Sequence, residues 1–255
     1  MSIIKNEIPI LEYDDDTTAV IMPENENLGI KLPRKAVYAF LGDEVDRYAD
    51  AHNARIAAHF ASMTKYYPIY VFEAECQEIC LVQAPVGAAA AVQILDWLFA
   101  YGVREVISGG SCGVLTPFGE NTFLVPKRAL RDEGTSYHYL PPSRFVEVSA
   151  AARSAIARAL EAHGLRCTEV TTWSTDGFYR ETAGMVGYRR SEGCEVVEME
   201  CAALAACAEL RGAVWGELLF TADSLADAQN YDPRGWGLDS VEYALRLCVD
   251  AVLAI

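Results

Sequence analysis

The sequence has few basic residues and no long hydrophobic run. Its 255 residues include 21 Lys and Arg against 36 Asp and Glu, giving a formal net charge of −15 and a pI of about 4.7. Such an acidic field repels nucleic-acid backbones and anionic lipid, so neither is expected as a partner. No uncharged apolar stretch reaches the roughly 18 residues that a membrane helix needs. The N-terminal MSIIKNEIPILEYDDD has no apolar core of secretory type, so we expect a cytoplasmic protein.

Metal and disulfide motifs are also missing. The eight cysteines include no CxxC pair, and Cys76 and Cys80 have no His at ligand spacing. Most of the cysteines have apolar neighbours, which predicts reduced thiols in the core, and we expect no metal. His138 falls in a loop without an adjacent nucleophile, which argues against a catalytic triad.

The hydrophobic pattern predicts a single α/β domain over 1–255, with an irregular N-terminal arm over 1–32. From residue 36 onward, short β-branched or aromatic runs alternate with stretches of helical spacing, typical of a mainly parallel sheet covered by helices. The predicted strands are 36–41, 69–73, 78–83, 104–108, 122–125, 167–172, 196–199 and 213–221. The predicted helices are 43–61, 88–101, 149–163, 201–212 and 241–253. A long polar loop is expected between residue 125 and residue 149.

Two segments at predicted strand ends have the residue types of a ligand site. The run Gly109–Gly113 matches neither GxxxxGK[ST] nor GxGxxG, but its small residues and the Ser111 hydroxyl suit an anion; a tight turn is the alternative. Glu198 and Glu200 precede an apolar helix at a spacing of two. A carboxylate there accepts hydrogen bonds from a ribose diol, or it forms a structural ion pair.

The base end of such a site is suggested by two further segments. Asp223 follows the most hydrophobic strand, GELLFTA, where burial would raise its pKa and make it a general acid; N-capping the next segment is the alternative. The run WSTDGFYR over 173–180 combines aromatic faces with Arg180, which suits a planar heterocycle. Core packing is the alternative for these aromatic residues.

Seven segments in order resemble the nucleoside phosphorylase family, which includes uridine phosphorylase and the hexameric purine nucleoside phosphorylases. They are LGDEVDR, APVGAAAA, GVREVISGGSCGVL, KRALRDEGTSYHYLPP, STDGFYRET, VVEMECAAL and LLFTADS, within residues 33–225. The resemblance implies a three-layer α/β/α sandwich around a mixed, partly barrel-like sheet. It also implies a homo-oligomer, from dimer to hexamer, that cleaves nucleosides for salvage. Inorganic phosphate would be the co-substrate, no cofactor would be needed, and the products would be free base and (deoxy)ribose 1-phosphate.

The resemblance also implies roles for individual residues. By the family pattern, phosphate is bound by Gly42, Arg47, Gly110 and Ser111; ribose by Met199 and Glu200; and the base by Phe178, Tyr179, Arg180 and Glu198. Asp223 corresponds to the acid that protonates a departing purine.

Three positions depart from the family pattern in ways that reduce the positive charge available for phosphate. Asp46 and Ser108 stand where relatives carry Arg, and Lys65 lies near the position of an Arg supplied by a neighbouring subunit. Whether the base is a purine or a pyrimidine stays open. The alternatives to a phosphorylase are a nucleosidase, in which a carboxylate such as Glu198 activates water, and a non-catalytic nucleoside-binding protein.

Overall fold

The fold is a mixed sheet with helices on both faces, seen in a computed structural model that describes residues 3–255. The ten strands described are β1 Lys35–Ala39, β2 Arg55–Ala61, β3 Tyr66–Ala74, β4 Gln77–Gln83, β5 Glu105–Val114, β6 Phe123–Asp132, β7 Phe145–Glu147, β8 Glu169–Thr175, β9 Val196–Glu198 and β10 Val214–Ser224. The six α-helices are α1 Glu44–Ala51, α2 Ala88–Ala100, α3 Ala150–Ala162, α4 Ala183–Ser191, α5 Cys201–Leu210 and α6 Val241–Leu253.

Five of the strands close into a barrel. The strand order runs β10-β6-β8-β9-β5-β1-β4-β3-β2, and β5 pairs back with β10. The ring therefore consists of β5, β10, β6, β8 and β9, while β1, β4, β3 and β2 extend it as an open sheet. Both parallel and antiparallel pairs occur, which confirms the expected mixed, partly barrel-like sheet.

Two hydrophobic layers separate the sheet from its helices. Trp97, Leu204 and Val106 share one core cluster with α2 and α5, whereas Ile107 and Leu245 belong to the opposite cluster with α3 and α6. Adjacent residues Val106 and Ile107 point to different clusters because side chains alternate across a strand. The three-layer α/β/α sandwich is thus confirmed.

The predicted helix over 43–61 was wrong in its second half. α1 ends at Ala51, where Asn53 adopts a left-handed φ of 51° and the Ala54 amide bonds the Ala49 carbonyl at 2.9 Å. This geometry is a common helix stop. Beyond it, residues 55–61 form β2, which pairs with β3. Burial does not alternate regularly along β2, and its register with β3 shifts between Ile56 and Ala58.

The predicted loops at 109–113 and 126–132 are strands in the structure. β5 runs on through Gly113, and its glycines are required by close packing rather than by positive φ: a Cβ on Gly109 would lie 2.6 Å from the Cys248 sulfur. β6 continues to Asp132, because its backbone pairs with both β7 and β8. The sequence analysis also missed α4, which Thr182 caps by accepting the Met185 amide.

The N-terminal segment lies on α2 and α5. It contains short 3-10 turns at Pro9–Leu11 and Pro23–Glu26. Tyr101 donates to the Pro23 carbonyl at 3.1 Å, and Arg211 to the Thr17 carbonyl at 3.0 Å. All eight cysteines are free thiols. Across residues 3–255, no helix is long and apolar enough to cross a membrane.

Candidate active site

A cavity of ≈ 450 Å³ opens where the carboxyl ends of β5, β9 and β10 converge. β5 and β10 are parallel neighbours, so both end at the same rim, and β9 joins β5 there through Gly113 and Val197. The lining residues that matter below are Gly110, Ser111, Gly113, Phe178, Glu181, Glu198, Met199, Glu200, Glu217, Asp223 and Trp236. Such a rim is where open α/β sheets bind ligands.

Glu198 is fixed by four protein donors. Its Oε1 accepts from the hydroxyls of Thr172 at 3.1 Å and Ser174 at 2.5 Å, and its Oε2 accepts from the amides of Glu200 and Cys201, both at 2.6 Å. These amides are orphan donors at the N-terminus of α5, where an acceptor is stabilising. Glu198 therefore anchors the start of α5 and shapes the cavity wall, and its predicted base-binding role stays a prediction.

Glu200 faces the cavity at the point where α2 begins. Its Oε1 accepts from the amide of Gly87 at 2.5 Å. Burial, and then the neighbouring Glu198, raise the pKa of Glu200 to about 8. Met199 lines the cavity beside it. The predicted ribose pair is thus brought together, with Glu200 held by one backbone donor.

Glu217 is a buried acid of this cavity that the sequence analysis missed. It lies in β10 opposite Ser108 of β5, and it is 1% exposed. The Cys201 thiol donates to its carboxyl, while Oε2 has no hydrogen-bond partner among the described residues. Burial, followed by repulsion from Glu198 and Glu200, raises the pKa of Glu217 well above the ordinary value. The sequence signal that could have identified Glu217 is a single Glu within an otherwise apolar predicted strand.

Asp223 lies on the wall between two cavities. It lines the main cavity and an adjoining one of ≈ 460 Å³, together with Glu181 and Trp236. Burial raises the pKa of Asp223, against the lowering effect of a hydrogen bond from the Tyr231 hydroxyl. Burial, and then the charge of Asp223, raise the pKa of Glu181 to about 7. Glu181 was also missed by the sequence analysis.

The predicted aromatic wall is only partly assembled. Phe178 lines both cavities, whereas Tyr179 is 93% exposed and borders only the second. Arg180 borders neither of them. Trp236, which the sequence analysis missed, lines both and has a left-handed φ of 58°. A bulky residue in that region is strained, and such strain concentrates at functional sites.

The predicted phosphate residues fall into two groups. Gly110 and Ser111 line the cavity. Gly42 lies outside the lining with a φ of 57°, and Arg47 forms an ion pair with Glu44 at 2.5 Å while its side chain is 67% exposed. A phosphate role for Gly42 and Arg47 stays a prediction.

The residues that depart from the family pattern are all engaged by the protein itself. Asp46 accepts from the Tyr70 hydroxyl at 2.8 Å, and Ser108 accepts from the Trp215 indole at 3.0 Å. Lys65 lies over the Tyr67 ring, 5.1 Å from its centroid.

The charged residue types in the described lining of this site are all acidic. Within residues 3–255, five carboxyl side chains and neither Lys nor Arg line the cavity. The carboxyls are those of Glu181, Glu198, Glu200, Glu217 and Asp223. The same described part of the chain has no group of three His, Cys, Asp or Glu arranged to hold a metal ion.

The structure combines a closed five-stranded barrel with a cavity at its strand ends, walled by residues of the VEMEC and TAD segments. The model of the phosphorylase superfamily matches residues 34–254, and the chain belongs to this superfamily. No curated protein matches the sequence.

Solved structures share the fold at low sequence identity. AMP nucleosidase from Bacteroides thetaiotaomicron matches with a TM-score of 0.73 and 22% identity, covering 91% of this chain and 94% of its own. Uridine phosphorylase from Vibrio fischeri gives 0.74 and 20%, covering 88% and 94%. Purine nucleoside phosphorylase from Toxoplasma gondii, in complex with immucillin-H, gives 0.74 and 17%, covering 88% and 91%. Both phosphorylases and a nucleosidase therefore have this fold.

Proposed function

We propose that the protein cleaves the N-glycosidic bond of a purine nucleoside with water, giving free base and ribose. The observation that carries this proposal is the composition of the cavity wall, with five carboxyls and no Lys or Arg among the described lining residues. Two unit charges of like sign about 5 Å apart repel by about 3 kcal/mol at an effective dielectric constant of about 20. Each of these carboxyls repels phosphate in this way when it is ionised, whereas none of them repels a neutral water molecule.

The same carboxyls suit the transition state of bond cleavage. As the bond breaks, the sugar acquires oxocarbenium character, and nearby carboxylates stabilise the positive charge. Glu200, held by the Gly87 amide, accepts from the ribose hydroxyls and fixes the sugar in place.

Asp223 favours a purine as the leaving group. A purine departs more easily when N7 is protonated, and a buried carboxyl with a raised pKa retains a proton to donate. Phe178 and Trp236 supply aromatic faces for the ring beside it. The likeness to an AMP nucleosidase and a purine nucleoside phosphorylase supports this choice. Water and the protein's own acids account for the bond exchange, so the proposal includes no cofactor.

Phosphorolysis is the second candidate. It is favoured by Gly110 and Ser111, which line the cavity as the family pattern for phosphate requires. The phosphorylases among the similar structures also support it.

The deciding experiment is a nucleoside panel of inosine, adenosine, guanosine and uridine, incubated with and without phosphate, with base and sugar products read together. We expect base and free ribose at equal rates in both conditions, with purines preferred. Ribose 1-phosphate, with turnover dependent on phosphate, would establish the second candidate instead. Binding by calorimetry without turnover of any panel member would indicate a non-catalytic nucleoside-binding protein.

A further inference from the structure

Glu217 has a position that neither packing nor stability explains. It lies in β10, lateral to Ser108, on the face of the sheet from which Gly110 and Cys112 line the cavity at two-residue intervals. Burying a carboxyl without a full set of partners costs free energy, so an orphaned oxygen in a native core calls for a functional explanation. Glu217 Oε2 is such an oxygen, and Glu217 itself lines the cavity.

Two polar groups on the neighbouring strands have other hydrogen-bond partners. Ser108, the nearest residue across the strand pair, accepts from the Trp215 indole, and Tyr38 on the next strand donates to the Ala91 carbonyl at 2.8 Å. Glu217 receives only the Cys201 thiol, a weak donor. The unfilled acceptor therefore belongs to a residue that lines the cavity.

The other carboxyls of the cavity are committed to other contacts. Both oxygens of Glu198 are saturated by four donors. Glu200 is engaged by Gly87 at the position proposed for ribose, and Asp223 receives the Tyr231 hydroxyl at the position proposed for the base. Glu181 lies with Asp223 on the wall of the second cavity. Among the five, Glu217 alone combines deep burial with an oxygen that has no partner.

We propose that Glu217 is the general base that activates the attacking water, an inference that rests on the hydrolysis proposed above. Glu217 Oε2 accepts a hydrogen bond from this water beside the sugar. The bond from C1′ to the base nitrogen breaks, and its electron pair leaves with the base, which takes a proton from Asp223. The water oxygen bonds to C1′, and one water proton passes to Glu217. Solvent then restores both protonation states.

The electrostatic environment of Glu217 suits this role. Burial, and then repulsion from Glu198 and Glu200, raises the pKa of Glu217, so that its carboxylate is a stronger base. The oxocarbenium charge that develops on the sugar favours the ionised form in the transition state. Turnover requires Glu217 ionised and Asp223 protonated at the same time, so it should rise and then fall as the pH increases.

The test compares Glu217→Gln with Glu133→Gln in the full-length protein. Glu133 is a matched control because it is also buried, at 4% exposure, and also has an orphaned oxygen, Oε1, but it lies outside the cavity. We expect Glu217→Gln to lower kcat for inosine hydrolysis by about 10²–10⁴-fold and to remove the rise of kcat with pH. Glu133→Gln should retain both. Circular dichroism verifies that each variant is folded.

Azide distinguishes a general base from a structural acid. Azide attacks C1′ without having a proton to remove, so it needs no base. Glu217→Ala, which also opens space, should regain base release when azide is added and should form ribosyl azide, whereas the wild-type protein should not be accelerated. If Glu217→Gln hydrolyses inosine at the wild-type rate, or if the alanine variant is folded but azide restores nothing, the assignment of Glu217 is wrong. A wild-type protein that requires phosphate would instead overturn the proposed function itself.

Discussion

At the scale of single residues, the carboxyl groups of the candidate site differ in their hydrogen-bond partners. Glu198 has four donors and anchors a helix, Glu200 has one backbone donor and faces the cavity, and Glu217 leaves one oxygen without a partner. All three are glutamates, so the sequence alone does not distinguish them chemically. Burial raises the pKa of all three, and the hydrogen bonds that each accepts oppose this rise.

Asp223 provides a prediction at this scale. Asp223→Asn should lower kcat/KM for inosine by about 10²–10⁴-fold, because the departing purine loses its proton donor. With 4-nitrophenyl riboside, whose leaving group departs as a stable anion, the same variant should lose less than about tenfold. Steady-state kinetics on both substrates measures the difference. An equal loss on both would indicate that Asp223 positions the sugar or shapes the cavity.

At the scale of elements, β5 connects the site with the core. It pairs with β1 and β10, and its carboxyl-terminal half supplies Gly110, Ser111 and Gly113 to the cavity. A Cβ on Gly113 would lie 2.9 Å from Leu225 Cδ1, 3.1 Å from Asp223 Oδ1 and 3.1 Å from Val197 Cγ1. All three of these residues line the cavity. The absence of a side chain at Gly113 therefore sets the position of Asp223.

Gly113→Ala tests this arrangement. The added methyl must displace Asp223 and Leu225, so kcat/KM for inosine should fall by at least about tenfold, while the free energy of unfolding falls by about 1–3 kcal/mol. Gly119→Ala is the control, since a Cβ there would have only the Thr122 hydroxyl nearby, at 3.6 Å. Urea unfolding and steady-state kinetics measure both effects. A fully active Gly113→Ala protein would contradict the proposed position of the acid.

At the scale of the whole molecule, folding concentrates acids that the chain carries far apart. Burial raises the pKa values of Glu181, Glu200 and Glu217 above the ordinary value of 4.5, to about 7 for Glu181 and about 8 for Glu200. The folded state therefore binds protons more tightly than the unfolded state. Stability from this source is fully present below pH 4.5 and is lost as the pH rises through these folded-state values.

The free energy of unfolding should therefore fall between about pH 5 and pH 8, by up to about 1.4 kcal/mol per pH unit for each such proton. Unfolding at pH 7 should release protons. Glu200→Gln should flatten the pH dependence, whereas Glu147→Gln, at the exposed position of β7, should leave it unchanged. Urea titrations across this pH range measure the slope. A slope that Glu200→Gln leaves unaltered would contradict the raised pKa of Glu200.

The sequence by itself determined those features that depend on local pattern. The helix predicted over 241–253 coincides with α6, and Glu200 and Asp223 lie at the rim where their strands end. Amphipathic spacing and strand ends are properties of neighbouring residues, so they are visible without the fold. Local pattern predicted the wrong element at 55–61, because the secondary structure there depends on a more distant segment. Pairing with β3 makes these residues a strand despite their helical spacing.

Only the tertiary structure decided which acids meet. Pairing of β10 with β5 joins Glu217 to Ser108 across 109 positions of sequence, and closure of the barrel then brings both beside Glu198. The left-handed backbone at Trp236 and the ion pair that holds Arg47 against Glu44 also depend on the folded context. Burial and strand register set these contacts, and both arise only when distant segments pack against one another.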